Sequence, residues 1–429
     1  MIARWRGPGR KWPAATACGV LSSATVVGTE ALMVSSDVVG GRAGSASASF
    51  QVGVMTSLLT IGPLALAMMP VLMIGLAERF HWSEARSGLL ATIELGALAV
   101  ASVSGLYWQR RWNWRWLAVV ATLTIVVANL AATRASGFSG LACARLVAGA
   151  ASGLLVALYF AFLPSTRRPD RVGSIATFAQ VVSQVGGYYA SSWLLQQWGL
   201  NGLYVLIALI AALLLSFAKW IPVGAGHSEE PAVVRRKDAT RTLGNRLPGI
   251  AGLLANVFFF AALTGVYAFF GEFGQSTARL SDEQTVHAIA LAAALALLGP
   301  VASYLISRRF GFLWPILGSA VGVMAVFVLL AHGGYGYVGF LVLISLLLIL
   351  WNFAQPYSWA IMVAVDEKLT VAVPGAQFAG IAVGPAIVGL GIQRSGLAGG
   401  VWLALGLMVI YLFLIMPLCA VSRGAAQLK

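Results

Sequence analysis

The chain has 429 residues, 59% of them hydrophobic and only 10% charged, with a mean hydropathy of +0.86. Soluble domains carry about 25% charged residues, so a soluble globular protein is excluded. Recurrent apolar runs near or above about 18 residues, without the alternating ~10-residue segments of a barrel, predict an all-α polytopic membrane protein.

Residues 1–49 open with the basic "MIARWRGPGRKW" and continue as a small, weakly apolar stretch interrupted by Glu30 and Asp37. They are expected to form an N-terminal extension without defined structure. Apolar segments follow at 52–76, 85–107, 116–133, 139–164, 173–194 and 202–220. They predict an N-terminal six-helix bundle over 50–220. The polar "GHSEEPAVVRRKDATRTLGNR" (226–246) marks a solvated linker, taken as 221–248. Six further apolar segments, at 249–271, 285–306, 312–332, 336–364, 371–393 and 397–420, predict a second bundle over 249–420, followed by a tail over 421–429. The expected architecture is therefore 12 transmembrane helices in two six-helix bundles.

The net charge of +14 raises nucleic acid as a partner only if the charges gather in one place. They do not. With the N-terminus inside, 22 of the 28 Lys and Arg fall in inside segments and five in outside loops, with Arg145 within a span. This asymmetry predicts that both termini are cytoplasmic and removes the need for a nucleic-acid partner. The stretch "GLYWQRRWNWRW" (105–116) then reads as a cytoplasmic loop whose tryptophans are expected at the headgroup level.

An internal repeat is visible. "QRRWNW" (109–114) is echoed by "SRRFGF" (307–312), and "GLNGLY" (199–204) by "GLAGGVW" (396–402), at offsets of 198 and 197. Arg110, Arg111, Arg308 and Arg309 are the basic residues of the first pair.

Ionisable groups inside a span are costly and mark function. Glu94, in "LLATIELGALAVA", suits a group that takes up and releases a proton, or a packing carboxyl held by neighbouring helices. Arg145 stays charged and needs a partner, a wet cavity or a route to a headgroup. In span 10, "LWNFAQPYSWA" places Trp351, Asn352, Gln355 and Tyr357 around Pro356. A proline frees a backbone carbonyl, and substrate sites lie near such interruptions. The neutral amides and aromatics suit a polar or partly aromatic organic substrate, and equally an interfacial belt with helix-to-helix bonds. Gln180, Gln184 and Tyr188 share one helical face by their i, i+4 spacing. Asn256 and Gln377 are weaker candidates. Gly149-x-x-x-Gly153 and Gly380-x-x-x-Gly384 allow close helix approach, and Pro63 and Pro70 are expected to bend span 1. The three cysteines and four histidines show no metal spacing, and there is no P-loop. No metal, cofactor or enzyme constellation is expected.

Twelve spans in two homologous halves, a central loop and basic loops after spans 2 and 8 resemble the major facilitator superfamily of secondary transporters, over about 50–420. Gly105, Arg110 and Arg111 loosely match the family's loop signature after span 2. Gln109 stands where the family has an acidic residue, which puts the usual gating salt bridge in question. Arg145, Gly149 and Gly153 in "ACARLVAGAASG" match the span-4 pattern, whose arginine the family links to proton transfer. Gly186 and Gly187 occupy the span-5 stretch where antiporters carry Gly-Pro, and the missing proline leans toward uptake. "GIAVGPAIVGLG", with Gly384 and Pro385, looks like the family's packing face in span 11. The resemblance implies a monomeric, multi-pass transporter of the inner (plasma) membrane. It would move a small molecule by alternating access, with protons as co-substrate and membrane lipids as surroundings. Proton coupling is expected at Glu94 and Arg145. Other readings are a passive facilitator, a non-transporting receptor or a membrane-embedded enzyme.

Overall fold

The computed structural model describes residues 45–82, 84–224, 246–307 and 311–427. The N-terminal extension up to 44, most of the linker, and Arg308 and Arg309 lie outside the described residues.

The described residues are helical, with no strand. In order the helices are α1 (Ser45–Ile61), α2 (Leu64–Ala67), α3 (Met69–Phe80), α4 (Glu84–Val103), α5 (Gly105–Trp108), α6 (Trp114–Arg134), α7 (Phe138–Phe162) and α8 (Pro169–Leu215). The second half holds α9 (Leu247–Tyr267), α10 (Phe270–Ser276), α11 (Asp282–Leu295), α12 (Leu298–Ile306), α13 (Leu313–His332), α14 (Gly336–Val365) and α15 (Val373–Gln427). Among the described residues nine helices are long and apolar enough to cross a membrane. Helix is what such sequences must form, because hydrocarbon offers no partner to a backbone N–H or C=O.

Span 1 departs from the expected single run over 52–76. It is cut into α1, α2 and α3 at Gly62–Pro63 and at Met68. Proline at 63 lacks the N–H needed to continue the ladder. The helix also starts at Ser45, inside the stretch read as extension, and α15 runs on to Gln427, past the expected end at 420.

α8 and α15, of 47 and 55 residues, would be about 70 and 80 Å long if straight. That is more than twice the ~30 Å hydrocarbon core. Both are interrupted, α8 at Gly199 (φ 62°, ψ −163°) and α15 at Gly396 (φ 68°, ψ −170°). This backbone region is open essentially to glycine alone. Around the second break Gly391 lies directly on the Gly399 backbone, and Gly400 on Val388 and Ile392, so the chain folds back on itself. The two glycines are the first residues of the matched "GLNGLY" and "GLAGGVW".

Two apolar cores result. One is formed by residues 52–221, with Trp359, Met362, Leu369, Val371 and Val373 added from the second half. The other is formed by residues 255–419, with Val181 added from α8. In lipid, packing rather than water exclusion holds such helices together, and small residues set the distance. Gly149 and Gly153 of α7 rest on the Glu94 and Leu98 carbonyls of α4, and Gly380 and Gly384 of α15 on the Val257 and Ala261 carbonyls of α9. A Cβ at any of the four would push its helix pair apart.

Candidate functional site

The α4–α7 contact brings two distant residues together. Glu94 lies on α4, and Gly149 packs one turn below Arg145 on α7. Arg145 Nη1 stands 3.3 Å from Glu94 Oε1, and Nη2 donates to Asn129 Oδ1 of α6 at 2.9 Å. Asn129 Nδ2 donates to the Ile125 carbonyl, which fixes the amide with its oxygen toward the arginine. The guanidinium also lies 5.0 Å from the centre of the Tyr204 ring of α8. All four residues are buried, Arg145 at 2% and Glu94 at 7% exposure. Arg145 is thus a paired interior cation and does not reach for a headgroup. Proton uptake by Glu94 would release one arm of Arg145 and leave its bond to Asn129 and its ring contact in place.

The second half buries an uncharged cluster. Asn256 Oδ1 of α9 accepts from Ser358 Oγ of α14 (3.2 Å) and Gln377 Nε2 of α15 (3.3 Å), while its Nδ2 donates to the Gly252 carbonyl. Asn256 and Gln377 stand out in the sequence and Ser358 does not. The one hint of Ser358 is its place in the polar run after Pro356.

The remaining span-5 and span-10 residues are dispersed. Gln184 and Tyr188 on α8 are exposed and Gln180 is half-buried. Trp351 is half-buried and edge-on to Phe260 and Tyr267, with centroids 5.7 and 6.3 Å apart. Asn352 donates back to the Leu348 carbonyl and lies under Gly299 of α12. Gln355 is buried. Tyr357 is fully buried and donates to the Ser303 carbonyl of α12. Pro385 is half-buried inside α15, beside Gly384.

The two halves meet at the end that carries Trp108, Ser165 and Asp366. Gln109 Nε2 donates to the Lys368 carbonyl (3.1 Å), and Gly105 rests on Val371. Arg168 and Arg171 donate to Ser307 Oγ (3.1 and 3.3 Å), and Ser174 Oγ donates to Ser303 Oγ. Gln109 and Ser307 are repeat partners, 198 apart, so two latches at equivalent positions join the halves at this end. Between them Trp359 packs buried against Tyr159 and Phe160 of α7. Sequence reasoning misses this aromatic floor, because a buried tryptophan in a span looks like any other apolar residue.

"GLYWQRRWNWRW" corrects one expectation. Only Trp112 and Trp116 are exposed, at 51% and 68%; Trp108 and Trp114 are buried. Their indole N–H groups bond Ser104 Oγ and the Gln109 carbonyl, which permits burial. Asn113 caps α6, and Arg115 holds the Ile221 carbonyl where the chain leaves the first half.

The described residues thus form a polytopic helical bundle with buried polar clusters and cross-half hydrogen bonds gathered at one end, the architecture of a membrane transporter. The family model described as Major Facilitator Superfamily matches residues 54–373, more than half of the chain, and the chain belongs to that superfamily. It is a multi-pass membrane protein. Solved structures with the same fold include FucP in the outward conformation, at 13% identity and TM-score 0.66, covering 86% of this chain and 98% of that one. Another is the proton:xylose symporter XylE bound to 6-bromo-6-deoxy-D-glucose, at 15% identity and TM-score 0.66, covering 86% and 96%. A variant of the E. coli fucose:proton symporter FucP matches at 13% identity and TM-score 0.66, covering 86% and 98%. At these identities the likeness is one of fold. Comparison with curated proteins gives no match.

Proposed function

We propose that this protein is a proton-coupled secondary transporter of a small organic molecule, with Glu94 as the proton carrier and Arg145 as the cation that answers its charge. Twelve spans are counted when α1–α3, α4–α5, α9–α10 and α11–α12 are each taken as one crossing and α8 and α15 as two each. The excess of Lys and Arg then puts both termini, and the latched end, in the cytoplasm. In a bacterial cell the membrane would be the inner one. Solute would enter from the opposite end, where Gln184 and Tyr188 are exposed and Gln180 and Trp351 half-buried. Asn256, Gln355 and Tyr357 are buried and Asn352 half-buried, and they add polar groups from α9 and α14. These groups suit a neutral polar solute, and sugars, which FucP and XylE are described as carrying, belong in the first panel tested.

The observation that carries the reading is the buried Glu94–Arg145 contact at 3.3 Å, strengthened by Asn129. An isolated carboxylate in a span is costly, and a paired one that can lose its partner is a switch. The same pair supports a second reading: if it never parts, the protein is a passive facilitator. Vesicles reconstituted with the protein and loaded with a pH-sensitive dye separate the two. The first reading predicts that a carried solute drives protons across together with itself; a solute that equilibrates with no proton movement contradicts it.

A further inference from the structure

The transport reading leaves one feature of "GLYWQRRWNWRW" without a role. Trp112, Asn113, Trp116, Leu117 and Val120 line a groove of about 410 Å³ on the outer face of the α5–α6 turn. Below it α6 exposes Trp116, Val120, Leu123, Val127 and Leu130 in one continuous apolar stripe, the face that meets lipid. At its head stand Arg111, exposed with its guanidinium 4.4 Å from the Tyr107 ring centre, and Arg115, half-buried, whose Nε and Nη2 donate to the Ile221 carbonyl and whose Nη1 is the donor it has left to offer. Asn113 Oδ1 already accepts two backbone N–H bonds, so the group it has left to offer is its Nδ2 donor. Between Glu94 and Asp170 the chain has no acidic residue. The facing loop carries Asp366 and Glu367 beside Lys368; Asp366 is buried and its Oδ1 accepts from the Lys368 and Leu369 backbone N–H groups, which holds its charge within its own loop.

We propose that this groove binds an anionic phospholipid of the surrounding bilayer. Its phosphate sits at Arg111, Arg115 and Asn113, and an acyl chain lies between Trp112 and Trp116 and down the α6 stripe. Charge chooses the occupant: a zwitterionic lipid fits the stripe but brings its own cation to the arginines. Basic clusters beside helix ends at the membrane surface recognise anionic headgroups in this way, and exposed tryptophans there prefer the same depth.

Native mass spectrometry of the full-length protein, released from detergent in the presence of phosphatidylglycerol or of phosphatidylcholine with the same chains, tests this. The wild type should retain phosphatidylglycerol preferentially. Arg111→Gln should lower that retention about fivefold, the weight of one arginine at a membrane surface. A Trp112→Ala, Trp116→Ala double variant should lower retention of both lipids. Glycerol 3-phosphate should not compete, because the headgroup alone lacks the stripe. Equal retention of the two lipids by the wild type overturns the proposal, a comparison that needs no variant to fold. So does an equal loss on Arg167→Gln, an exposed arginine of another loop, since the effect would then be general surface charge. Full competition by glycerol 3-phosphate replaces the lipid with a free phosphate and overturns it as well.

Discussion

The two halves each bury a polar cluster, but of different kinds. The first half holds a carboxylate, a guanidinium and an amide on α4, α7 and α6, under the ring of Tyr204. The second holds two amides and a hydroxyl on α9, α15 and α14. Both tie three helices together, and both are shielded by close helix contacts at glycines. Only the first contains a group whose charge can change. The cluster of the second half is thus uncharged, with polar groups that hold helices in register, and the cluster of the first half carries the titratable group.

That contrast makes graded claims. Arg145→Ala leaves Glu94 buried without its cation and should cost about 3–5 kcal/mol, the usual loss on breaking a buried pair. Thermal unfolding of purified protein should show it as the largest drop among these variants. Arg145→Lys should not restore stability, because one ammonium does not serve both Glu94 and Asn129 in fork geometry. A drop no larger than that of Ser358→Ala would erase the difference between the halves.

Asn256→Ala strips the acceptor from Ser358 and Gln377 and should cost about 1–3 kcal/mol. Transport by this variant should still respond to an imposed pH gradient, and loss of that response would place coupling in the second half as well. Gly199→Ala and Gly396→Ala should each cost about 1–3 kcal/mol, because alanine is strained at their backbone angles. Comparable losses at both positions are expected from equivalent turns, and a loss at one alone would separate them. The smallest effect belongs to the latches. Gln109→Ala removes a neutral cross-half hydrogen bond worth about 0.5–1.5 kcal/mol, and Ser307→Ala removes the acceptor of two arginines, whose contact with solvent holds the loss to about 1.5 kcal/mol. Spin labels at positions 167 and 367 should report a larger share of long distances in either variant.

Much of the architecture is legible in the amino-acid sequence, because lipid leaves the backbone few options and writes its demands into composition. The two matched glycine motifs point to a repeat, and the positive φ of Gly199 and Gly396 explains why glycine stands at each. Glu94 and Arg145 stand out for the same reason, as charges where charges are rare. Their meeting is not legible. They are 51 residues apart, and contact depends on α7 settling onto α4 at Gly149 and Gly153. The Gln109 latch is visible only as a missing acid, since its acceptor is a backbone carbonyl, which every residue carries. Span 1 misleads because Pro63 signals a bend, whereas the backbone interrupts the helix there and again at Met68.

The central claim rests on one carboxyl. In proteoliposomes with an imposed pH gradient, Glu94→Gln should abolish proton-driven accumulation of a carried solute while exchange of that solute across the membrane persists. Full proton-driven accumulation by Glu94→Gln would contradict the account and leave the Glu94–Arg145 pair as a packing element.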